Sequence, residues 1–187
     1  MERAARIIPI RRDQLKADLD FLEQLQTDLL LAENQPEIAA VEEELGKAGL
    51  LPVRQKRRKT ERVSKEAARA RHFTSSEGFE ILVGRSARQN EIVTFRDAHP
   101  QDWWLHARGA AGSHVVIRNQ GQEVAESTLE MAAQLAAYYS KARGERAAEV
   151  LMTERRFVNR ASGGRTGQVH VRNAKTLVVP AQMPEFD

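Results

Sequence analysis

The apolar positions of the chain change their spacing once, sharply, about two-fifths of the way along. In the first part Leu15, Leu19, Leu22, Leu25 and Leu29 recur at intervals of 4, 3, 3 and 4, the spacing of a leucine seam on a helix. This predicts an amphipathic helix over residues 13–33, with acidic side chains on much of its other face. Asn34 or Gln35 can cap a second helix, and Pro36 fits its first turn. That helix is predicted over 36–48, with Ile38, Val41 and Leu45 on one face and Gly49 as its stop. Residues 52–71, PVRQKRRKTERVSKEAARAR, carry few large apolar side chains. They read as a linker, or as a helix with no buried face.

From Phe73 the period shortens to that of strands. FEILVG (79–84), DWWLHAR (102–108) and SHVVIR (113–118) each predict a strand, the last two forming a hairpin around GAAG. STLEMAAQLAAYYSKARG (127–144) predicts a helix. Ser127 and Glu130 make a capping box, Lys141 and Arg143 lie in its last turn, and Gly144 stops it. AEVLMT (148–153), GQVHVR (167–172) and KTLVVP (175–180) predict further strands. Only Asn173 and Ala174 separate the last two, which predicts a tight hairpin. The pattern as a whole predicts an α+β fold: a mixed or antiparallel sheet with one main helix, preceded by a helical coiled-coil arm. The predicted division is an arm over 1–50, a basic linker over 51–72 and a globular domain over 73–187.

An amphipathic helix of this length is marginal on its own. The rest of the chain offers no second long leucine-rich helix to cover the seam. Self-association, or pairing with a segment outside this chain, is therefore expected through Leu15–Leu29.

Composition narrows the function classes. The chain has 187 residues, 41% of them hydrophobic, and no cysteine. Disulfides, thiolate zinc sites and a cysteine nucleophile are excluded together. No apolar run approaches the length of a membrane span, and the N-terminus lacks the apolar core of a signal peptide. A cytoplasmic protein with no membrane partner is the expectation. The net charge of +3 is unevenly spread. Residues 1–50 hold 6 basic and 11 acidic side chains, residues 51–71 hold 9 and 2, and residues 72–187 hold 14 and 13. A concentrated basic segment suits a polyanionic partner, although solubility or a disordered linker explains many such runs.

The candidate chemistry sits in residues 102–118, DWWLHARGAAGSHVVIR. Strand alternation puts Asp102, Trp104, His106 and Arg108 on one face, and His114, Val116 and Arg118 on one face of the next strand. Trp104, His106, Arg108 and His114 together suit a nucleic-acid surface, where an aromatic ring stacks on a base and arginine meets phosphate. The plain alternative is that Trp104 is core and each histidine bonds to backbone. A metal site needs a third ligand at good geometry, and no HxH or HExxH spacing is present. A triad of Ser113, His106 or His114, and Asp102 lacks a nucleophile elbow. GRSARQNE (84–91) offers Arg85, Arg88, Gln89 and Asn90 for phosphate or base edges, or is simply a polar turn. SGGRTG (162–167) is a glycine-rich loop bearing Arg165, without the GxxxxGK[ST] pattern of a nucleotide-binding loop.

Taken in order, GRSARQNE (84–91), DWWLHARGAAGSHVVI (102–117), AAQLAAYYSKAR (132–143) and the closing GQVHV and KTLVVP resemble the NFACT-R domain. This is the RNA-binding module of the NFACT, or fibronectin-binding-protein-A-like, proteins. The resemblance covers about 73–180. Residues 19–51 are similar to the returning arm of that family's coiled-coil region, so the chain is expected to begin inside a longer architecture.

The resemblance implies RNA binding without catalysis and without a cofactor or metal. Full-length members act in ribosome quality control. They bind the large ribosomal subunit carrying an obstructed nascent chain and recruit a charged tRNA, so the implied partners are tRNA or large-subunit rRNA and the ribosome. Positions matching the motifs are Arg85, Gln89, Asn90, Asp102, Trp104, His106, Gly112, Ser113 and His114. Gly112 is expected at the turn, and Asp102 to brace His106 or a backbone amide. The chain departs from the family pattern at Leu151–Met152, Asn159–Arg160 and Thr166–Gly167, while Arg160 and Arg165 keep the positive charge near the glycine loop. The RNA-contact set implied is thus Arg85, Arg88, Gln89, Asn90, Trp104, His106, Arg108, His114, Arg160 and Arg165. The competing class is a protein-interaction module, in which the leucine seam is the working surface and the globular part a passive platform.

Overall fold

The computed structural model describes residues 2–52, 69–162 and 164–185. Most of the expected basic linker, residues 53–68, lies outside the described residues. Helix α1 spans Glu2–Leu30. It starts well before residue 13 and runs through Pro9, giving up one backbone hydrogen bond there. Helix α2 spans Gln35–Lys47 and begins as expected. The Asn34 side chain accepts from the Glu37 amide at 3.1 Å, and the Glu37 carboxylate accepts from the Glu33 amide at 2.8 Å. The first bond satisfies an orphan donor of the first turn, and the second ties the residue before the cap back onto the helix.

The arm does not bury the seam that the leucine spacing predicts. Phe21, Leu25 and Val41 form a small core with Leu45 and Ala48. Of the five seam leucines only Leu25 is enclosed, while Leu15, Leu19, Leu22 and Leu29 are exposed. The stripe turned inward is Phe21–Leu25–Asp28, spaced 4 and 3, which is itself a helical face. No helix among the described residues is long and apolar enough to cross a membrane.

The rest is α+β. Six strands form one antiparallel sheet in the order β1-β2-β4-β3-β5-β8: β1 Arg71–Thr74, β2 Glu80–Val83, β3 Trp103–Ala107, β4 Val115–Ile117, β5 Ala148–Glu154 and β8 Lys175–Val179. β3 and β4 pair as the expected hairpin, Trp104 opposite Val116. The tight hairpin expected over 167–180 does not form. β7 (Val169–Val171) pairs instead with β6 (Val158–Arg160) in a separate two-stranded ribbon, and β8 crosses to β5. The chain changes sheets at Asn173, which adopts φ 52°. The Thr153 hydroxyl pins that corner by donating to the Arg172 carbonyl at 3.0 Å.

One face of the sheet carries Ile81, Val83, Leu105, Val115, Ile117 and Val150. Helix α4 (Glu126–Tyr138) lies on it through its buried alanines. Small side chains let the helix axis approach the sheet closely. The expected capping box at Ser127 and Glu130 is not used; Ala125 caps without a side-chain bond. The helix also ends before Lys141. Residues 139–141 are drawn into backbone bonds with the β3–β4 connection: the Ser113 amide to the Tyr139 carbonyl and the Lys141 amide to the Ala111 carbonyl, both 2.8 Å. Gly112 is therefore a point of close approach, where a Cβ would lie 2.5 Å from that of Ser140.

The second face holds Leu82, Val116 and Trp104. It is covered by an element whose sequence has the pattern of a polar turn. Helix α3 (Ala87–Ile92) runs directly into a π-helical turn (Val93–Asp97), and Val93 and Val158 close over the tryptophan.

Candidate nucleic-acid interface

Strand alternation correctly places Trp104 and His106 on the second face, but the cover changes their role. Trp104 is completely buried and His114 is 2% exposed. The indole N–H of Trp104 donates to the Thr94 hydroxyl at 3.1 Å, and the same hydroxyl lies 2.8 Å from His114 Nδ1. An indole nitrogen only donates, so the hydroxyl accepts there and has its own hydrogen to give to Nδ1. His106 stacks on Trp104 with centroids 5.8 Å apart, and the two imidazoles meet edge to face at 5.2 Å. Burial pushes His106 down to about 4, against a backbone hydrogen bond involving Gly112. Burial, and then the neighbouring His106, hold His114 well below the usual imidazole range. Both rings are thus neutral near pH 7. Trp104 and His114 are not a stacking platform for RNA, and His106 brings no positive charge.

Gln89 and Asn90 are likewise enclosed. Ser86 caps α3 by accepting from the Gln89 amide, while the Gln89 side chain accepts from the Arg85 amide at 3.0 Å. Asn90 donates to the Gly112 carbonyl at 3.0 Å and accepts from the His114 amide at 2.9 Å. It clamps α3 to the start of β4. A Cβ at Gly84 would lie 2.2 Å from the Asn90 side-chain oxygen, which explains the glycine. Arg85 is occupied too: its guanidinium meets the buried Glu37 carboxylate of the arm at 2.7 Å. Asp102 braces backbone rather than His106, accepting from the His99 and Gln120 amides at 2.7 Å each. Ser113 is buried in the β3–β4 connection, with its amide bonded to Tyr139. The Ser–His–Asp arrangement is not assembled, since both carboxylate oxygens serve amides and His114 faces Thr94. Among the described residues no group of three or more His, Cys, Asp or Glu is placed to hold a metal.

The exposed members of the expected set are Arg88, Arg108, Arg160 and Arg165. Arg108 makes a surface pair with Glu149 at 3.1 Å. Arg165 is turned toward the arm, donating from Nε and Nη2 to one oxygen of Asp18 and lying over the Phe21 ring at 4.6 Å. Arg160 lies over the Phe95 ring at 4.1 Å, with Glu91 at 2.5 Å.

Phe95 is the feature that sequence reasoning missed. It projects from the π-helical turn and receives a second guanidinium, Arg155, at 4.9 Å. Arg155 is fixed by donating from Nε to the Thr94 carbonyl at 2.8 Å. Its pKa is lowered by partial burial and then by the charge of Arg160. Two like charges held beside one ring gain when an anion comes between them. A sequence signal was available. Arg155, Arg156, Arg160, Arg165, Arg172 and Lys175 fall in a stretch, 155–175, without a single Asp or Glu. The near-neutral balance of residues 72–187 concealed it. The structure folds this stretch into the β6–β7 ribbon and its flanks, beside the Phe95 cluster. Guanidinium groups stacked on an aromatic ring, with an adjoining basic ribbon, suit phosphates and unpaired bases.

Comparison with known proteins agrees with this chemistry. Residues 69–173 match the family described as "NFACT protein RNA binding domain". The chain is 35% identical over 167 residues to the Rqc2 homolog RqcH of Streptococcus pneumoniae, and 32% identical over 182 residues to that of Bacillus subtilis. These alignments cover 89% and 95% of this chain but only 29% and 31% of the relatives. The solved C-terminal part of the fibronectin/fibrinogen-binding protein from Streptococcus suis superposes with a TM-score of 0.84 at 31% identity, covering 97% of this chain and 71% of that one. With the α+β module, its motifs and its helical arm all in place, the chain belongs to the NFACT family and carries its RNA-binding domain.

Proposed function

We propose that this chain binds RNA, tRNA or large-subunit rRNA, as a non-catalytic part of ribosome-associated quality control of stalled nascent chains. The observation that carries the reading is the Arg155–Phe95–Arg160 cluster beside the ribbon stretch without carboxylates. Phosphate contacts from the arginines supply most of the affinity, so binding falls steeply with salt. Arg88, Arg108 and Arg165 are exposed and serve as auxiliary phosphate contacts outside this cluster. The family match and the Rqc2-homolog relatives support the cellular setting. Crosslinking and sequencing of RNA bound to the chain in cells tests it. Enrichment of transfer or ribosomal RNA, lost in an Arg155→Gln/Arg160→Gln variant, is the expected result. Recovery of no RNA above background would sink the reading.

A second working surface is the arm. Leu15, Leu19, Leu22 and Leu29 remain 44–56% exposed on α1. A row of this kind takes a helix, either a partner arm or a second copy of this chain.

A further inference from the structure

The π-helical turn has two flanks, and the Phe95 cluster occupies one of them. We infer that a slot on the other flank, between the turn and the edge of β1, seats one nucleotide of single-stranded RNA with its phosphate on Arg69 and Arg96. This deepens the RNA-binding reading and rests on it.

The slot encloses about 490 Å³. Leu82 and Val93, both buried, give it an apolar floor, and Arg69, His72, Arg96 and Arg118 stand on its rim. The rim charges are not equivalent. Arg118 and His72 are both held by Glu80, at 2.8 and 2.7 Å. Asp97 also lines the slot. Arg69 and Arg96 are exposed, and neither has a hydrogen-bonding or ion-pair partner among the described residues. Two cations with no partner among the described residues, above an apolar floor, present what a nucleotide needs: contact for a base and charge for a phosphate.

Continuity decides between RNA and an acidic peptide. Phe95 and Arg96 are adjacent on one turn. Phe95 faces the Arg155–Arg160 cluster and Arg96 lines the slot. A strand crossing the turn therefore meets guanidinium groups on both flanks. A peptide carboxylate can pair with these guanidinium groups, as Glu91 does with Arg160, but it has no flat face to stack on the Phe95–guanidinium layer, whereas an unpaired base does. Breaks in regular helix of the π type recur at functional sites, and this one forms the shared wall of both contacts.

The test uses the full chain and a fluorescein-labelled oligouridine of about 12 nucleotides, within the range that single-strand sites occupy. Arg69→Gln/Arg96→Gln is compared with Arg160→Gln/Arg172→Gln by anisotropy across a salt series. The slot variant is expected to keep its unfolding temperature, to bind about tenfold more weakly at low salt, and to lose about 1.4 from the slope of log affinity against log salt, two contacts at about 0.7 each. Wild-type affinity in the slot variant together with weakened binding in the ribbon variant overturns the slot and leaves the RNA-binding reading standing. Wild-type affinity in both overturns both. Inorganic phosphate that displaces the oligonucleotide at matched ionic strength makes the slot a free-anion site. Oligoglutamate that displaces it from the wild type but not from the slot variant makes it a peptide site. Either outcome overturns the assignment.

Discussion

Arg85 and Glu37 meet at 2.7 Å across the joint between the helical arm and the module. Glu37 is 5% exposed and also receives Arg71 at 3.4 Å, the Glu33 amide and the Asn34 side chain. A motif arginine that resembles an RNA contact thus clasps the arm. Breaking a fully buried pair costs about 3–5 kcal/mol; Arg85 retains some exposure, so about 2–3 kcal/mol is expected here. Arg85→Ala and Glu37→Gln should each lower the unfolding free energy in urea by this amount. RNA affinity of the folded fraction should stay at the wild-type value. A large loss of affinity at unchanged stability would return Arg85 to the RNA surface.

Asp28 lies in the same joint and sets a pH dependence. Desolvation raises its carboxyl from 3.8 to about 7, opposed by hydrogen bonds from Gln24 and the Ala87 backbone. Its pKa is higher folded than unfolded, so the folded chain holds a proton that the unfolded chain has released. Stability therefore falls as pH rises from about 4 to 7, by on the order of 4 kcal/mol at most. His106 and His114 act oppositely. Their folded pKa values are depressed, so below 6.5 the unfolded chain binds more protons, and stability falls as pH drops from 6.5 toward about 4. The two trends partly cancel in the wild type. Asp28→Asn keeps an acceptor for Gln24 and removes one trend. Its unfolding temperature should rise steadily from pH 4 to 7 and exceed that of the wild type at pH 8. A profile parallel to the wild type would exclude Asp28 as the titrating group.

Thr94 joins two buried groups through one hydroxyl. Thr94→Val is nearly isosteric and leaves the Trp104 N–H and His114 Nδ1 without their shared partner. A loss of about 2–3 kcal/mol in denaturant-induced unfolding is expected. Unchanged stability would mean that the hydroxyl carries no such relay.

The legible and the hidden parts of the fold divide by range. The alternation in DWWLHAR depends on neighbouring residues and put Trp104 and His106 on the correct face. Whether that face met water depended on Val93, Thr94 and Val158, which approach from elsewhere in the chain. The segment 84–97 shows only a polar start, GRSARQNE, because the side-chain amides of Gln89 and Asn90 turn inward to Arg85, Gly112 and His114. The pairing of β7 with β6 and of β8 with β5 has the same origin. Two residues between strands favour a hairpin locally, but the pairing of β8 with β5 lies across the sheet. The Phe95 cluster joins residues 60 or more positions apart, and no local pattern announces it.

Arg160 permits a test by opposite signs. Glu91 holds it at 2.5 Å and competes with phosphate for the same guanidinium. Arg160→Gln should weaken single-stranded RNA binding and lower the salt slope by about 0.7. Glu91→Gln should strengthen binding several-fold, because it removes the competitor and a like charge for the approaching strand. Both substitutions are at the surface and should leave the unfolding temperature nearly unchanged. If Glu91→Gln weakens binding, Arg160 is not a phosphate contact.

The leucine seam separates the arm's role from that of the module. Leu22 is 44% exposed in the middle of the row, whereas Leu25, one turn on, is buried against Val41. A charge at Leu22 therefore disrupts a helix seated on the seam without touching the packing of α1 on α2. A charge at Leu25 disrupts both. Light scattering should find the wild-type chain larger than a monomer and Leu22→Asp monomeric, with RNA affinity and unfolding temperature retained. Leu25→Asp should lower the unfolding temperature as well. If the wild type is already a monomer at high concentration, a second copy of this chain is not what covers the seam, and a partner arm from outside it becomes the occupant to seek. If Leu22→Asp loses RNA affinity along with its oligomeric state, the two surfaces work together, and the arm contributes to RNA binding by bringing two modules onto one strand.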